Sequence, residues 1–162
     1  MVLLAGCSGS GSSLGPPAHG RHSAVVTHVR DGDTVTLRTN GKTRLIGIDT
    51  PEVFGHVECF GRAASAFTKR VLRVGTKVEY RLGPETHDRY GRSLAYIWLD
   101  DGRMFNEMLA ERGYATPLTI PPDDEYARRF LAAARRAREA SRGLWSPNTC
   151  NGVNPPNRGS GR

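Results

Sequence analysis

The sequence contains no long apolar run, only three cysteines and fewer acids than bases. No stretch approaches the roughly 18 apolar residues that a membrane-spanning helix needs, so the sequence holds no candidate for such a helix. Its 16 Asp and Glu stand against 23 Lys and Arg, a formal net charge of +7. This surplus of positive charge favours anionic partners such as nucleic acid or a phospholipid surface.

The two ends of the chain are rich in small and polar residues, which predicts one compact domain with flexible ends. Residues 1–22 are expected to form a truncated signal segment and linker, residues 23–148 the folded domain, and residues 149–162 a flexible tail. Within the first segment, residues 8–17 are Gly/Ser-rich and then Pro-rich, a composition typical of a linker between an anchor and a domain.

The first residues resemble part of a bacterial export signal. Leu4-Ala5-Gly6-Cys7 is similar to a lipobox, whose cysteine is lipidated after cleavage. Residues 1–4 lack the charged region and the apolar length of a complete signal, so we expect the sequence to begin inside a signal peptide. The prediction is a bacterial protein that is secreted or attached to a membrane through Cys7. A flexible tail with one stray cysteine is the alternative.

The other two cysteines are an even pair, and disulfides persist in exported proteins. We therefore predict a disulfide between Cys59 and Cys150, which would tie the tail after Trp145 to the loop after Glu52. Two free thiols are one alternative. Half of a zinc site made by His56 and Cys59 is another, although structural zinc sites need four ligands and the sequence has no second pair.

The order of predicted elements favours a small β-barrel. Strands alternate with Asp-Gly and Asn-Gly turns, and helical patterns follow the third strand and end the domain. Five strands with a helix inserted after the third predict a five-stranded OB-fold barrel with about three α-helices. The strands are expected at 24–29, 34–38, 43–48, 77–82 and 93–98, and the helices at 63–72, 105–112 and after Pro121-Pro122.

The last helix is expected to carry Asp123, Asp124 and Glu125 in its first turn, where negative charge suits the helix dipole. One of its faces is apolar and the others bear arginines. These arginines are interpreted as a solvated face, with a nucleic-acid interface as the alternative.

Three charged motifs carry the chemistry: Asp31-Gly32-Asp33, the segment 44–52, and Asp88-Arg89-Tyr90-Gly91-Arg92. The first fails as an EF-hand, because the twelfth position falls on Lys42 or Arg44 where a bidentate Glu is required. Each motif alone could be a turn, a strand end or a charged loop. Together they offer acids for a metal, an acid for a base and arginines for an anion, which indicates phosphodiester hydrolysis.

Thr50 and Glu52 flank a proline within the segment 44–52. The residue before a proline is held extended, so we expect Thr50 to turn outward with its carbonyl exposed.

The combination resembles the staphylococcal-type thermonucleases, from about Ser23 to Trp145. The matching blocks are ordered along most of the chain, which makes chance agreement very unlikely. They are Asp31-Gly32-Asp33-Thr34, Arg44-Leu45, Gly47-Ile48-Asp49-Thr50-Pro51-Glu52, Ala64-Ser65-Ala66-Phe67-Thr68-Lys69, 88–96, Asn106-Glu107 and Gly143-Leu144-Trp145-Ser146.

The resemblance implies a monomeric Ca²⁺-dependent nuclease with an OB-fold. It would cut DNA and RNA, preferably single-stranded, with little sequence preference. It implies three kinds of site residue: Asp33, Asp49 and the Thr50 carbonyl on Ca²⁺; Glu52 as general base with Arg44 and Arg92 on the phosphate; and Arg89 and Tyr90 against the substrate.

The sequence departs from the family pattern in two places. Residues 115–122 contain no aromatic residue, although the family has tyrosines there, and the loop after Glu52 is shorter and lacks lysines. Because base stacking adds affinity for single strands, these losses bear on affinity more than on hydrolysis. The rival hypothesis is a catalytically silent OB-fold module that binds nucleic acid or a protein.

Overall fold

The structure, a computed structural model, describes residues 20–151, and the Cys7 segment lies outside them. Its main feature is a closed barrel of five strands in the order β1-β2-β3-β6-β5, in which β3 and β6 are parallel and the other neighbours antiparallel. The predicted five-stranded OB-fold barrel is confirmed. Residues 20–151 contain seven strands: β1 His22–Val29, β2 Thr34–Leu37, β3 Gly41–Leu45, β4 Gly47–Asp49, β5 Lys77–His87, β6 Ser93–Trp98 and β7 Thr116–Leu118.

The prediction of one continuous third strand over residues 43–48 is wrong. The chain leaves the barrel at Gly47, which has a φ of +82° and lies so close to Phe130 that a Cβ would fall 2.2 Å from the ring. A left-handed φ favours glycine, and only glycine leaves room for this ring. Strand β4 then pairs with β7, a strand that the sequence did not predict.

The described residues contain three α-helices: α1 Gly61–Val71, α2 Phe105–Glu111 and α3 Ala127–Glu139. The first two lie within two residues of the predicted bounds. The predicted acidic first turn of α3 is wrong, because the helix begins only at Ala127. Two of the three acids have partners elsewhere instead: Asp123 accepts the Glu85 N–H at 3.2 Å, and Glu125 pairs with Arg81.

The apolar face of α3 packs mainly against α2 and the β4–β7 pair, with Phe130, Ala133, Ala134 and Ala137 buried. Two of the arginines on its other faces form ion pairs with α2. Arg129 lies 2.6 Å from Glu107, and Arg136 lies 3.9 Å from the same side chain. These contacts give part of the basic face a role in joining two helices.

Asn106 is fully buried and fixes the point at which the chain leaves the barrel. Its amide donates to the Ile46 carbonyl at 2.9 Å, and its oxygen accepts the Ile97 N–H at 2.9 Å. A buried amide with these partners is costly to replace. The contact holds the start of the segment 47–52 against β6 and α2.

A disulfide joins Cys59 to Cys150 across 91 residues, which confirms the predicted pairing over the free thiols and the zinc site. It links the loop after Glu52 to the end of the described chain. In residues 20–151, none of the helices has the length and apolar character to cross a membrane.

Candidate active site

Arg44, at the end of β3, is held by four groups. Its Nη1 donates to the carbonyls of Leu45 at 2.6 Å and Ile48 at 2.9 Å, and its Nη2 donates to Asp49 at 2.7 Å. The same Nη2 lies 3.2 Å from Asp33. The sharp exit of the chain at Gly47 makes this arrangement possible, because it folds β4 back over the arginine. Arg44, Asp33 and Asp49 are therefore brought together from three strands or strand ends.

Asp33 is buried in the turn between β1 and β2, and Thr50 lies against it. The Thr50 N–H and hydroxyl donate to Asp33 Oδ2 at 2.9 and 2.8 Å. We expected Thr50 to turn outward, and this prediction is wrong, because the residue is only 5% exposed. The Thr50 N–H and hydroxyl satisfy the buried Asp33 carboxylate. A buried carboxylate without hydrogen bonds is costly, and this cost keeps Thr50 inside although it precedes a proline.

Arg92, at the start of β6, is positioned by Asp88. The carboxylate accepts the backbone N–H groups of Tyr90 and Arg92 at 2.9 Å each and the Arg92 Nε at 2.6 Å. Burial opposes ionisation of Asp88, but the hydrogen bonds from Arg92 lower its pKa. The Arg92 Nη1 reaches the Thr34 hydroxyl at 3.5 Å, next to Asp33. The loop 88–92 therefore lies beside the other charged segments.

Tyr90 lies at the edge of this group and is 67% exposed. The guanidinium carbons of Arg89 and Arg92 lie 4.8 and 5.5 Å from the centre of its ring. Both predicted substrate contacts, Arg89 and Tyr90, therefore lie on one exposed loop next to Arg92.

Burial and neighbouring charges raise the pKa of two carboxyl groups of the site. The pKa of Asp49 is raised to about 6, chiefly by burial; Arg44 opposes this shift, and the charges of Asp33 and Glu58 add to it. Burial also raises the pKa of Glu52, and the charges of Asp33 and Asp31 add to the effect. Within residues 20–151 the Glu52 carboxylate has no hydrogen-bond or ion-pair partner. The site therefore carries more negative charge than its own arginines offset.

The family model of the staphylococcal nuclease homologues matches residues 42–147. The chain belongs to this family. Its match covers both arginines, Asp49, Glu52 and the loop 88–92, while Asp33 lies in front of it.

Three relatives extend the likeness beyond the family model. A thermonuclease of Staphylococcus intermedius is 40% identical over 129 residues, 76% of each chain. A thermonuclease of Staphylococcus hyicus is 38% identical over 145 residues, 86% of this chain and 85% of the relative. Endonuclease YhcR of Bacillus subtilis is 33% identical over 147 residues, which are 82% of this chain and 12% of that protein.

The two carboxylates predicted to bind Ca²⁺ lie close together in the structure. Among residues 20–151 no three His, Cys, Asp or Glu side chains form a metal-binding group. The predicted set, however, needs only two carboxylates and a carbonyl. Asp33 and Asp49 offer oxygen donors, which hard cations prefer, within a group of acids whose mutual repulsion a cation would relieve. The donor set fits Ca²⁺.

The sequence reasoning missed Glu58. Its carboxylate accepts the Glu52 N–H at 3.0 Å, and its own N–H donates to the Glu52 carbonyl at 2.9 Å. Its charge also raises the pKa of both Glu52 and Asp49. Glu58 lies six residues beyond Glu52 in an irregular loop, where no periodic pattern indicates which residues meet.

Proposed function

We propose that this chain is a Ca²⁺-dependent nuclease that hydrolyses phosphodiester bonds of DNA and RNA with low sequence specificity. The observation that carries the proposal is the junction of Arg44 with Asp33 and Asp49, beside a Glu52 carboxylate that has no partner among the described residues. The names of the related thermonucleases support the same reaction.

Glu52 is proposed as the general base. A base that removes a proton from water needs a carboxylate free to accept it, and this one makes no hydrogen bond within residues 20–151. Its raised pKa makes it a stronger base than an ordinary glutamate. Its place after Pro51 limits the backbone freedom of the segment that carries it.

Arg44 and Arg92 are proposed to bind the scissile phosphate. Four protein groups hold the two terminal nitrogens of Arg44, and Asp88 fixes Arg92 through Nε. The remaining donors can meet phosphate oxygens from a preset position. Such charge-assisted contacts stabilise the added negative charge of a five-coordinate phosphorus.

Asp33, Asp49 and the Thr50 carbonyl are proposed to hold Ca²⁺. When bound, the ion acts as a Lewis acid and template for the phosphate. The protein's part is to keep Asp33 in place through the two hydrogen bonds from Thr50, and Asp49 through Arg44.

Arg89 and Tyr90 are proposed to contact the rest of a single-stranded substrate. The exposed Tyr90 ring can stack on a base, and aromatic stacking is a common way to bind single strands. Export is proposed as well, because a disulfide persists in oxidising compartments. Attachment through Cys7 and a monomeric state are further parts of the proposal.

The test is digestion of single-stranded DNA at alkaline pH by the purified chain, with Ca²⁺ and with excess EGTA. We expect cleavage only with Ca²⁺. Glu52→Gln controls for contaminating nucleases, since it should keep Ca²⁺ and DNA binding while losing about 10²–10⁴-fold in rate, the usual contribution of a general base.

Two results would contradict the proposal. Near-normal turnover of Glu52→Gln would remove Glu52 as the base. DNA binding without any cleavage by the wild type would favour the catalytically silent OB-fold module.

A further inference from the structure

A cavity near the proposed active site is lined by cations and an exposed aromatic ring. Its volume is about 320 Å³, and Arg30, Phe54, Arg62 and Lys69 form part of its wall. The mechanism proposed above uses none of these side chains.

Helix α1 places this cavity next to the segments that carry Asp33 and Glu52. Near its end, the Thr68 hydroxyl donates to the Gly32 carbonyl at 2.7 Å, directly beside Asp33. At its start, Gly61 packs so closely that a Cβ would lie 2.4 Å from the Glu52 carbonyl oxygen. A substrate strand that leaves the site along α1 therefore reaches the cavity at once.

The cations of the cavity are only weakly neutralised by the protein. Arg62 and Lys69 are exposed, lie seven residues apart on one face of α1, and have no ion pair within residues 20–151. The Arg30 Nε lies 3.7 Å from Asp31, a long distance for an ion pair, and the Arg30 side chain is half exposed. Three adjacent cations with so little compensation suit an anionic ligand.

Phe54 adds a feature that a plain anion site does not need. Its side chain is 51% exposed, and the Arg30 guanidinium lies 4.7 Å from the centre of the ring. The exposed ring offers a surface on which a nucleobase can stack. A ring beside cations matches the two parts of a nucleotide, a base that stacks and a phosphate that binds cations.

We propose that Arg30, Phe54, Arg62 and Lys69 form a second nucleotide subsite, which holds a nucleotide of a single strand next to the one being cut. The cations bind its phosphate and Phe54 stacks on its base. This inference rests on the proposed nuclease function. The subsite supplies a stacking surface in a chain that has no aromatic residue at 115–122.

The test compares a long with a minimal substrate, both single-stranded. The long one has about 12 nucleotides, within the range of site sizes on OB-folds, and the minimal one has a single phosphodiester bond. The double variant Arg62→Gln/Lys69→Gln is compared with Arg73→Gln/Lys77→Gln, which removes the same charge outside the cavity.

We expect kcat/KM of the subsite variant to fall about tenfold on the long substrate and to stay within about twofold on the minimal one. Its log kcat/KM on the long substrate should also depend less steeply on log salt, by up to about 0.7, because the subsite holds one phosphate and each single-strand phosphate contact contributes about 0.7. The Arg73/Lys77 control should show neither change.

The ring is tested separately by binding of the long oligonucleotide, labelled with fluorescein, to the Glu52→Gln protein in Ca²⁺. Adding Phe54→Ala should weaken binding about tenfold, whereas Phe54→Tyr should preserve it, since a phenol ring still stacks.

Equal behaviour of the subsite and control variants on both substrates would overturn the subsite while leaving the nuclease intact. The subsite variant could instead lose binding to anionic phosphatidylglycerol vesicles while it cleaves the oligonucleotide at the wild-type rate. That result would also overturn the subsite, in favour of a lipid-binding surface. A wild type that cleaves neither substrate would instead overturn the nuclease function, and the subsite with it.

Discussion

The Arg44 guanidinium lies 2.7 Å from the Asp49 carboxylate, yet the pKa of Asp49 is raised to about 6 from an ordinary 3.8. Burial and the neighbouring acids together outweigh this single cation. The folded protein without Ca²⁺ is therefore destabilised by the charge of one of its proposed metal ligands.

This relationship predicts how stability depends on pH in EGTA. A carboxyl whose pKa is raised by folding binds its proton more tightly in the folded state, so its contribution to stability falls as pH rises from 3.8 to about 6. Asp49→Asn removes this loss. Its free energy of urea unfolding should match that of the wild type near pH 4 and exceed it by up to about 3 kcal/mol at pH 7.

Saturating Ca²⁺ provides the control for that experiment. The ion should stabilise the wild type and have little effect on Asp49→Asn. A variant less stable than the wild type at pH 7 in EGTA would show that the Arg44 contact outweighs burial and repulsion.

Asp88 is predicted to position Arg92. Asp88→Asn keeps the size of the side chain but removes the charge that holds Nε at 2.6 Å. We expect kcat on single-stranded DNA to fall about tenfold, because a misplaced phosphate contact loses transition-state stabilisation.

Asp101→Asn is a matched control for Asp88→Asn. Asp101 accepts the Arg103 N–H and Nε at 3.0 and 2.7 Å, so it also holds an arginine through a backbone and a side-chain contact, but in an exposed turn. Its kcat should stay at the wild-type value. Equal kcat values for the two variants would contradict the positioning of Arg92 by Asp88.

Loss of the Cys59–Cys150 disulfide is predicted to lower stability substantially. The bridge spans 91 residues, and the loop-entropy model gives about 4–5 kcal/mol for a loop near this length. Chemical unfolding of the Cys59→Ser/Cys150→Ser variant measures the loss. Thiol titration of the unreduced wild type checks the premise, and two reactive thiols in residues 20–151 would refute the bridge.

Gly47→Ala is predicted to destabilise the protein more than Gly102→Ala. The two glycines have φ values of +82° and +80°, so both substitutions bear a backbone cost of about 1–2 kcal/mol. Only at Gly47 does the new Cβ meet Phe130, since nothing lies within 4 Å at Gly102. The contact should add about 1–3 kcal/mol in urea unfolding. Equal losses would show that α3 moves aside without cost.

The sequence by itself determined the barrel and the chemical inventory of the site. Alternating strands, Asp-Gly and Asn-Gly turns and the charged motifs are local signals, readable within a few residues. The five barrel strands and the helices α1 and α2 follow from such signals, whereas the cysteine pair follows from the number of cysteines in a protein expected to be exported. The roles of Arg44, Glu52 and Arg92 stay predictions that the experiments above address.

Only the tertiary structure decided where the chain leaves the barrel and what surrounds each charge. The break at Gly47 depends on the Phe130 ring 83 positions later, and the late start of α3 depends on Glu85 and Arg81. The contact of Glu58 with Glu52 likewise depends on tertiary structure. So does the cavity beside α1, whose lining residues come from segments that no sequence periodicity connects. Burial and charge are sums over neighbours in space, so local propensity could not reveal them.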